Sequence, residues 1–156
     1  MRIGFGYDSH LFEAGKPLVL GGVAIPGCDG LKAHSDGDVV VHALIDALFG
    51  AAAMGDIGSH FPDSDERWKG ADSAGLLSLA VSEISSAGFR VGNVDITVVC
   101  ERPRIGPHVE AICARLASLL GVAVSQVSVK GKTNEGMDAV GSGLGVAVHA
   151  VALLEG

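Results

Sequence analysis

The stretch Asp38-Val39-Val40-Val41-His42-Ala43-Leu44-Ile45-Asp46-Ala47-Leu48-Phe49 changes the character of the chain. Residues 27–37 have loop composition, and from Asp38 onward apolar residues run, broken only by His42 and Asp46, until Gly50. A helix is predicted here, N-capped by Asp36 or Asp38 and ending near Gly50. Upstream, Leu18-Val19-Leu20 and Val23-Ala24-Ile25 flank Gly21-Gly22, a hairpin signal within residues 16–25. The first ten residues read as a strand that runs into a loop at Asp8-Ser9-His10. Downstream, residues 55–71 return to loop chemistry, and a second helix is predicted over 72–87, stopped by Gly88. A long strand over 90–101 is ended by Pro103 and Pro107. Residues 108–120 put Val109, Ile112, Cys113, Leu116, Leu119 and Leu120 on one helical stripe closed by Gly121. A strand at 127–130, a Gly-rich connection at 131–143 and a final strand at 144–154 follow. The expectation is one α/β (α+β) domain over 1–156, a mixed β-sheet with three helices packed on one face.

Composition narrows the function classes. A chain of 156 residues buries roughly 68–70% of its unfolded surface and needs no disulfide or metal to hold a core. Lys and Arg number 11 against 18 Asp and Glu, a net charge of −7, which argues against nucleic-acid polymers and anionic membranes. Mean hydropathy is high at +0.42, yet no apolar run reaches the ~18 residues of a spanning helix. Cys28, Cys100 and Cys113 are odd in number and widely spaced, so neither a disulfide framework nor a CxxC metal site is implied. With no signal-peptide pattern, the expected location is cytoplasmic. The 23 glycines stand out, because Gly is selected where a backbone turns or closely approaches another group.

Several constellations carry chemistry. Asp8-x-His10 puts a carboxylate and an imidazole on one face of a strand, and His42 lies early in the first predicted helix. Two His and one Asp are the ligand types of a divalent site that keeps a position open, Zn²⁺ being its commonest occupant. A loop histidine and a satisfied core histidine would give the same letters. Asp46, at i+4 from His42, is a candidate orienting partner for it. In His34-Ser35-Asp36-Gly37-Asp38, His34 could donate to a developing anion and Ser35 could contact phosphate, although an Asx-rich capping turn explains the block equally. Gly55-Asp56-Ile57-Gly58 with Phe61-Pro62-Asp63-Ser64-Asp65 would suit recognition of hydroxyls, or be a solvated acidic loop. Gly131-Lys132-Thr133 mimics the end of a P-loop, but position 126 is Gln where that motif needs Gly. A strand end carrying Lys130, Lys132 and Thr133 still suits phosphate, and Glu135 fits if a second cation bridges carboxylate and phosphate. Gly4-x-Gly6 and Gly141-x-Gly143-x-Gly145 lack the context of a dinucleotide fingerprint. His60, His108 and His149 read as structural or surface residues.

In this order, Asp8-Ser9-His10, Ala33-His34-Ser35-Asp36-Gly37-Asp38, His42-Ala43-Leu44, Gly55-Asp56-Ile57-Gly58, Phe61-Pro62-Asp63-Ser64-Asp65, Pro103-x-x-x-Pro107-His108 and Lys132-Thr133-Asn134-Glu135-Gly136 resemble the 2-C-methyl-D-erythritol 2,4-cyclodiphosphate synthases over essentially the whole chain. The resemblance implies a homotrimer with a sheet-lined central axis and active sites between subunits. The implied reaction cyclises 4-diphosphocytidyl-2-C-methyl-D-erythritol 2-phosphate to the 2,4-cyclodiphosphate with release of CMP, in non-mevalonate isoprenoid biosynthesis. Asp8, His10 and His42 would hold Zn²⁺, and Glu135 a second ion, Mg²⁺ or Mn²⁺. His34 and Thr133 would stabilise the transition state. Substrate contacts would come from Ser35, Asp56, Ile57, Gly58, Phe61, Asp63 and Asp65. Cys100, Arg104, Ile105, Gly106, Gly131 and Lys132 would hold the cytosine and its phosphates.

The chain departs from some members: Phe5 stands where they carry His, and Ala139, Ser142 and Leu144 where they carry Phe, Arg and Glu. Those positions face an axial cavity associated with isoprenoid diphosphates. Two rival readings use the same residues, a zinc phosphodiesterase with water as nucleophile and a non-catalytic trimer that binds cytidine nucleotides.

Overall fold

The computed structural model describes residues 1–62, 64–68 and 70–156. Its elements in chain order are β1 (Arg2–Leu20), β2 (Val23–Leu31), α1 (Val39–Ala52), α2 (Ile57–His60), α3 (Ser73–Ser86), β3 (Arg90–Val99), α4 (Val109–Leu120), β4 (Val127–Lys132), α5 (Asp138–Gly141) and β5 (Gly145–Glu155). The five strands form one sheet in the order β2-β1-β5-β3-β4. All neighbours are antiparallel except β3 and β4, so the sheet is mixed, as expected.

The long helices begin where the sequence places them, with Asp38 accepting from the Val41 N–H and Asp72 from the Ala74 N–H as N-caps. The first helix passes Gly50 and ends at Ala53, which takes the left-handed conformation at φ 58° and returns its N–H to the carbonyls of Gly50 and Phe49. Short helical turns, α2 and α5, occupy stretches expected to be loop, and Gly131 and Lys132 belong to β4.

The largest departure is β1. Residues 2–11 pair with β5 and residues 12–20 with β2, so one continuous strand serves two neighbours. The expected loop after His10 is the point where it changes partner. Register shifts flank Pro17, which cannot donate to a ladder, and Gly15 supplies the bend at φ +84°. For the same reason the loop expected from residue 27 is strand as far as Leu31, which pairs with Phe12.

The core lies between the sheet and the long helices. Val94, Ile96 and Val98 of β3 and Val146, Val148, Ala150 and Ala152 of β5 are buried together with Leu44, Ile45, Leu48 and Phe49 of α1. Helix α1 crosses β1 and β5 at very close range. A Cβ on Gly4 would lie 1.9 Å from the Ala47 carbonyl oxygen, and one on Gly6 1.9 Å from that of Ala43. The Gly4-x-Gly6 pair is therefore a backbone contact between strand and helix, with Ala43, Ala47 and Ala51 as the small residues opposite. The alternate residues of β1, Ile3, Phe5 and Tyr7, and Val151 of β5 point away from the helices and are exposed.

Candidate metal centre and neighbouring cavities

The close approach of α1 to β1 positions the site. Asp8 and His10 continue the face of β1 that starts with Gly4 and Gly6, and His42 sits in the first turn of α1, beside Ala43. One carboxylate oxygen of Asp8, Oδ2, lies 3.0 Å from His10 Nε2 and 3.1 Å from His42 Nδ1. The two rings meet edge to face at 5.6 Å. Burial opposes charge on Asp8, but the hydrogen bonds to His10 and His42 outweigh it and hold the carboxyl at about 2.

The donor chemistry fits a cation. His10 Nδ1 lies 2.9 Å from the Lys32 carbonyl oxygen, which can only accept, so Nδ1 carries a proton and Nε2 is the nitrogen that would offer its lone pair to a cation beside Asp8. On His42, Nε2 faces the hydroxyls of Ser73 at 2.9 Å and Ser35 at 3.3 Å, leaving Nδ1 for Asp8. One ligand atom from each of Asp8, His10 and His42 falls within 4.8 Å of the others, the only such group of His, Cys, Asp and Glu among the described residues. Two imidazoles and a carboxylate match a divalent site with an open position.

The triad lines a cavity of about 670 Å³. Of the predicted site residues, His34, Ser35, Ile57, Gly58 and Phe61 line the same cavity. Asp46 lines it too, but not as a partner of His42. Its Oδ1 accepts the Ile57 N–H at 2.8 Å, so the orienting role expected from the i+4 spacing is corrected: Asp46 anchors α2 to α1. Burial raises its carboxyl. Asp56 does not line the cavity; it caps α2, accepting the N–H and Oγ–H of Ser59. Asp65 pairs with Arg67 at 2.6 Å. Asp63 lies outside the described residues.

A second cavity of about 230 Å³ gathers Cys100, Arg104, Ile105, Gly106, Gly131 and Lys132 with Thr133. It shares no lining residue with the first. Backbone pairing forms its floor, since the Cys100 N–H donates to the Lys132 carbonyl at 2.9 Å. Burial, then Glu101, pushes the Cys100 thiol up to about 11, so it stays protonated and faces the Pro103 carbonyl. Thr133 Oγ1 donates to Glu135 at 2.9 Å, and Glu135 takes φ +52° in the turn beyond β4.

Sequence reading missed Ser73, Asp36 as its partner, the Lys32 carbonyl, and Trp68 and Leu76 in the cavity wall. The other histidines are structural or superficial as expected where contacts are described. His60 stacks on Phe49 at 3.9 Å and pairs with Glu83, and exposed His149 lies between Phe5 and Tyr7 on the open sheet face.

Comparisons with known proteins place the chain in a family. The chain is 55% identical over 155 residues to the 2-C-methyl-D-erythritol 2,4-cyclodiphosphate synthase of Alcanivorax borkumensis, covering 99% of this chain and 97% of that one. Among solved structures it superposes with TM-score 0.91 and 40% identity on a 2C-methyl-D-erythritol-2,4-cyclodiphosphate synthase in its CDP-bound form, covering 99% of this chain and 100% of that one. It also matches the bifunctional IspDF of Campylobacter jejuni, with TM-score 0.94 and 39% identity over 98% of this chain and 42% of that longer one. Matched by its family over residues 1–155, the chain belongs to the YgbB family, that of the 2-C-methyl-D-erythritol 2,4-cyclodiphosphate synthases.

Proposed function

We propose that the chain cyclises 4-diphosphocytidyl-2-C-methyl-D-erythritol 2-phosphate to 2-C-methyl-D-erythritol 2,4-cyclodiphosphate and releases CMP. The observation that carries this reading is the convergence of His10 and His42 on one oxygen of Asp8, in the wall of a cavity that His34 and Ser35 also line. In the reaction the substrate's 2-phosphate oxygen attacks the β-phosphorus, one P–O bond forms, and the bond to the CMP oxygen breaks. Nucleophile and leaving group belong to the same molecule, so the protein must fold the substrate back on itself and offset negative charge.

Asp8, His10 and His42 would hold Zn²⁺, and Glu135 would hold a Mg²⁺ or Mn²⁺ ion. Such ions supply charge neutralisation and a template for the phosphates. The chain's own residues divide the remaining work. Ser35 binds phosphate, and His34 and Thr133 donate to the oxygens on which charge builds. Asp56 and Gly58 meet sugar hydroxyls, Asp63 meets the methylerythritol part, and Ile57, Phe61 and Asp65 complete the substrate contacts. Cys100, Arg104, Ile105, Gly106, Gly131 and Lys132 receive the cytidine phosphate end.

Supporting a homotrimer, the two cavities share no wall within one chain, and Ile3, Phe5, Tyr7 and Val151 form an uncovered apolar sheet face. Packing that face around a three-fold axis would bring Thr133 and the cytidine cavity of one copy to the metal cavity of its neighbour. The whole of 1–156 acts as one domain, working in the cytoplasm on a small-molecule substrate. No helix among the described residues is long and apolar enough to span a membrane.

Incubation with the substrate, Zn²⁺ and Mg²⁺, followed by phosphorus NMR, tests the reading. Cyclic diphosphate plus CMP is the expected result, and chelation of the metals should stop it. Linear products would instead indicate a phosphodiesterase, and unchanged substrate a binding protein.

A further inference from the structure

His42 turns one ring nitrogen to Asp8, and the other meets Ser73 Oγ at 2.9 Å. Ser73 is the first residue of α3 and is fully buried. Its hydroxyl has one proton to give, and Asp36 takes it in a short bond to Oδ1. The second oxygen of Asp36 accepts the Ser73 main-chain N–H at 3.0 Å, so the carboxylate grips Ser73 at two points. Asp36 is itself held by the Asp38 N–H at 3.1 Å.

These bonds fix a direction. An ionised carboxylate only accepts, so the Ser73 proton points to Asp36 and the hydroxyl oxygen offers a lone pair to His42. His42 Nε2 must then carry a hydrogen, which in the neutral ring leaves the Nδ1 lone pair for a cation bound beside Asp8. The Lys32 carbonyl does the same for His10 with the opposite nitrogen.

We propose that Asp36 and Ser73 are positioning residues for the metal centre: they hold His42 as the Nε2–H tautomer and aim Nδ1 at the divalent cation. This rests on the metal reading of Asp8, His10 and His42 given above. It gives a role to the first Asp of the His34–Asp38 block, which the capping of α1 by Asp38 leaves unused. It also makes α3, which contributes no ligand, part of the support of the site.

The test uses the full-length protein and zinc alone, with affinity read by competition with a chromogenic chelator. Ser73→Ala and Asp36→Asn should each weaken zinc binding by about 10–100-fold. The double variant should be no weaker than the worse single one, because both break the same chain of bonds. Side-chain ¹⁵N spectra of the zinc-loaded wild type should show a protected His42 Nε2–H that is lost in Ser73→Ala. If Ser73→Ala does not fold, Asp36→Asn carries both measurements. Zinc affinity within twofold of wild type in the folded variants, or losses that multiply in the double variant, would overturn the proposal. A purely structural role would lower the melting temperature of the metal-free protein and leave zinc affinity unmoved, which also overturns it. If wild type takes up no zinc, or His42→Ala binds it equally well, the metal reading itself fails.

Discussion

Gly6 and Ala43 touch through their backbones: a side chain on Gly6 would begin 1.9 Å from the Ala43 carbonyl oxygen. His42, the neighbour of Ala43, is thereby set over Asp8, two residues from Gly6 on the same strand face. Gly6→Ala must therefore push α1 away from β1. Overpacking of this kind costs about 1–3 kcal/mol or more, and the contact is with main chain that cannot rotate aside. The expected outcome is a lower urea midpoint together with weaker zinc uptake. Wild-type values for both would show that the helix yields without disturbing the triad.

Asp46 offers a contrasting case. Because its Oδ1 accepts the Ile57 N–H at 2.8 Å, Asp46→Asn keeps an acceptor in place. Zinc content by elemental analysis should match wild type. Asp46→Ala removes the bond, should cost about 1 kcal/mol, and should raise KM through a loosened α2, again with zinc content unchanged. Loss of zinc in Asp46→Asn would restore the orienting role that the spacing to His42 suggests.

Asp38 should give the protein a distinctive pH dependence. It is wholly buried and accepts the N–H groups of Gly21, Gly22 and Val41 at 2.8, 2.6 and 3.1 Å. Burial nevertheless dominates and raises its carboxyl from the ordinary 3.8 to about 6. Between those values the native state binds more protons than the unfolded chain, so this group's stabilising share is full below the unfolded pKa and is lost as pH rises through about 6. The stability of wild type relative to Asp38→Asn should therefore be greater at pH ~4 than at pH ~7, measured by urea unfolding of the metal-free protein. A gap that widens toward neutral pH would contradict the shift.

The open sheet face makes a prediction about assembly. Phe5 is 62% exposed and Ile3 74%, large apolar side chains with nothing packed over them in the single chain. If this face packs in the proposed homotrimer, Phe5→Asp should reduce the mass seen by light scattering from about three chains to one, because a charge is costly to bury at an apolar interface. If the site is shared between copies, turnover should fall with it while zinc still binds. A trimeric, active Phe5→Asp variant would place the interface elsewhere.

Much of this is legible in the order of residues alone. Strand alternation puts Asp8 and His10 on one face, but no spacing ties His42 to them, and the triad as a ligand set came from the resemblance to the synthase family. A cap at Asp36 or Asp38, a helix start near Asp72 and the turn at Gly21-Gly22 were local signals, and the fold follows them with Asp38 and Asp72 as the caps. The true length of β1 was hidden, because a strand that changes neighbours at Phe12 breaks its alternation there and looks like a loop. Ser73 was invisible for another reason: a Ser after Asp72 reads as the start of a helix, and nothing in the order of residues says that His42 lies beneath it. Asp46 was misassigned because helical spacing gives proximity and not bonding, and the Ile57 N–H was the nearer claimant.

The two histidines of the triad differ in how open they are to mutational drift. His10 is oriented by the main-chain carbonyl of Lys32, so a change of side chain at position 32 leaves that acceptor standing. His42 depends on side chains at two positions far apart in the chain, 36 and 73, and either can be lost in a single substitution. Variants that disable this enzyme without touching a ligand should therefore concentrate on the His42 side of the site, leaving the His10 side almost silent.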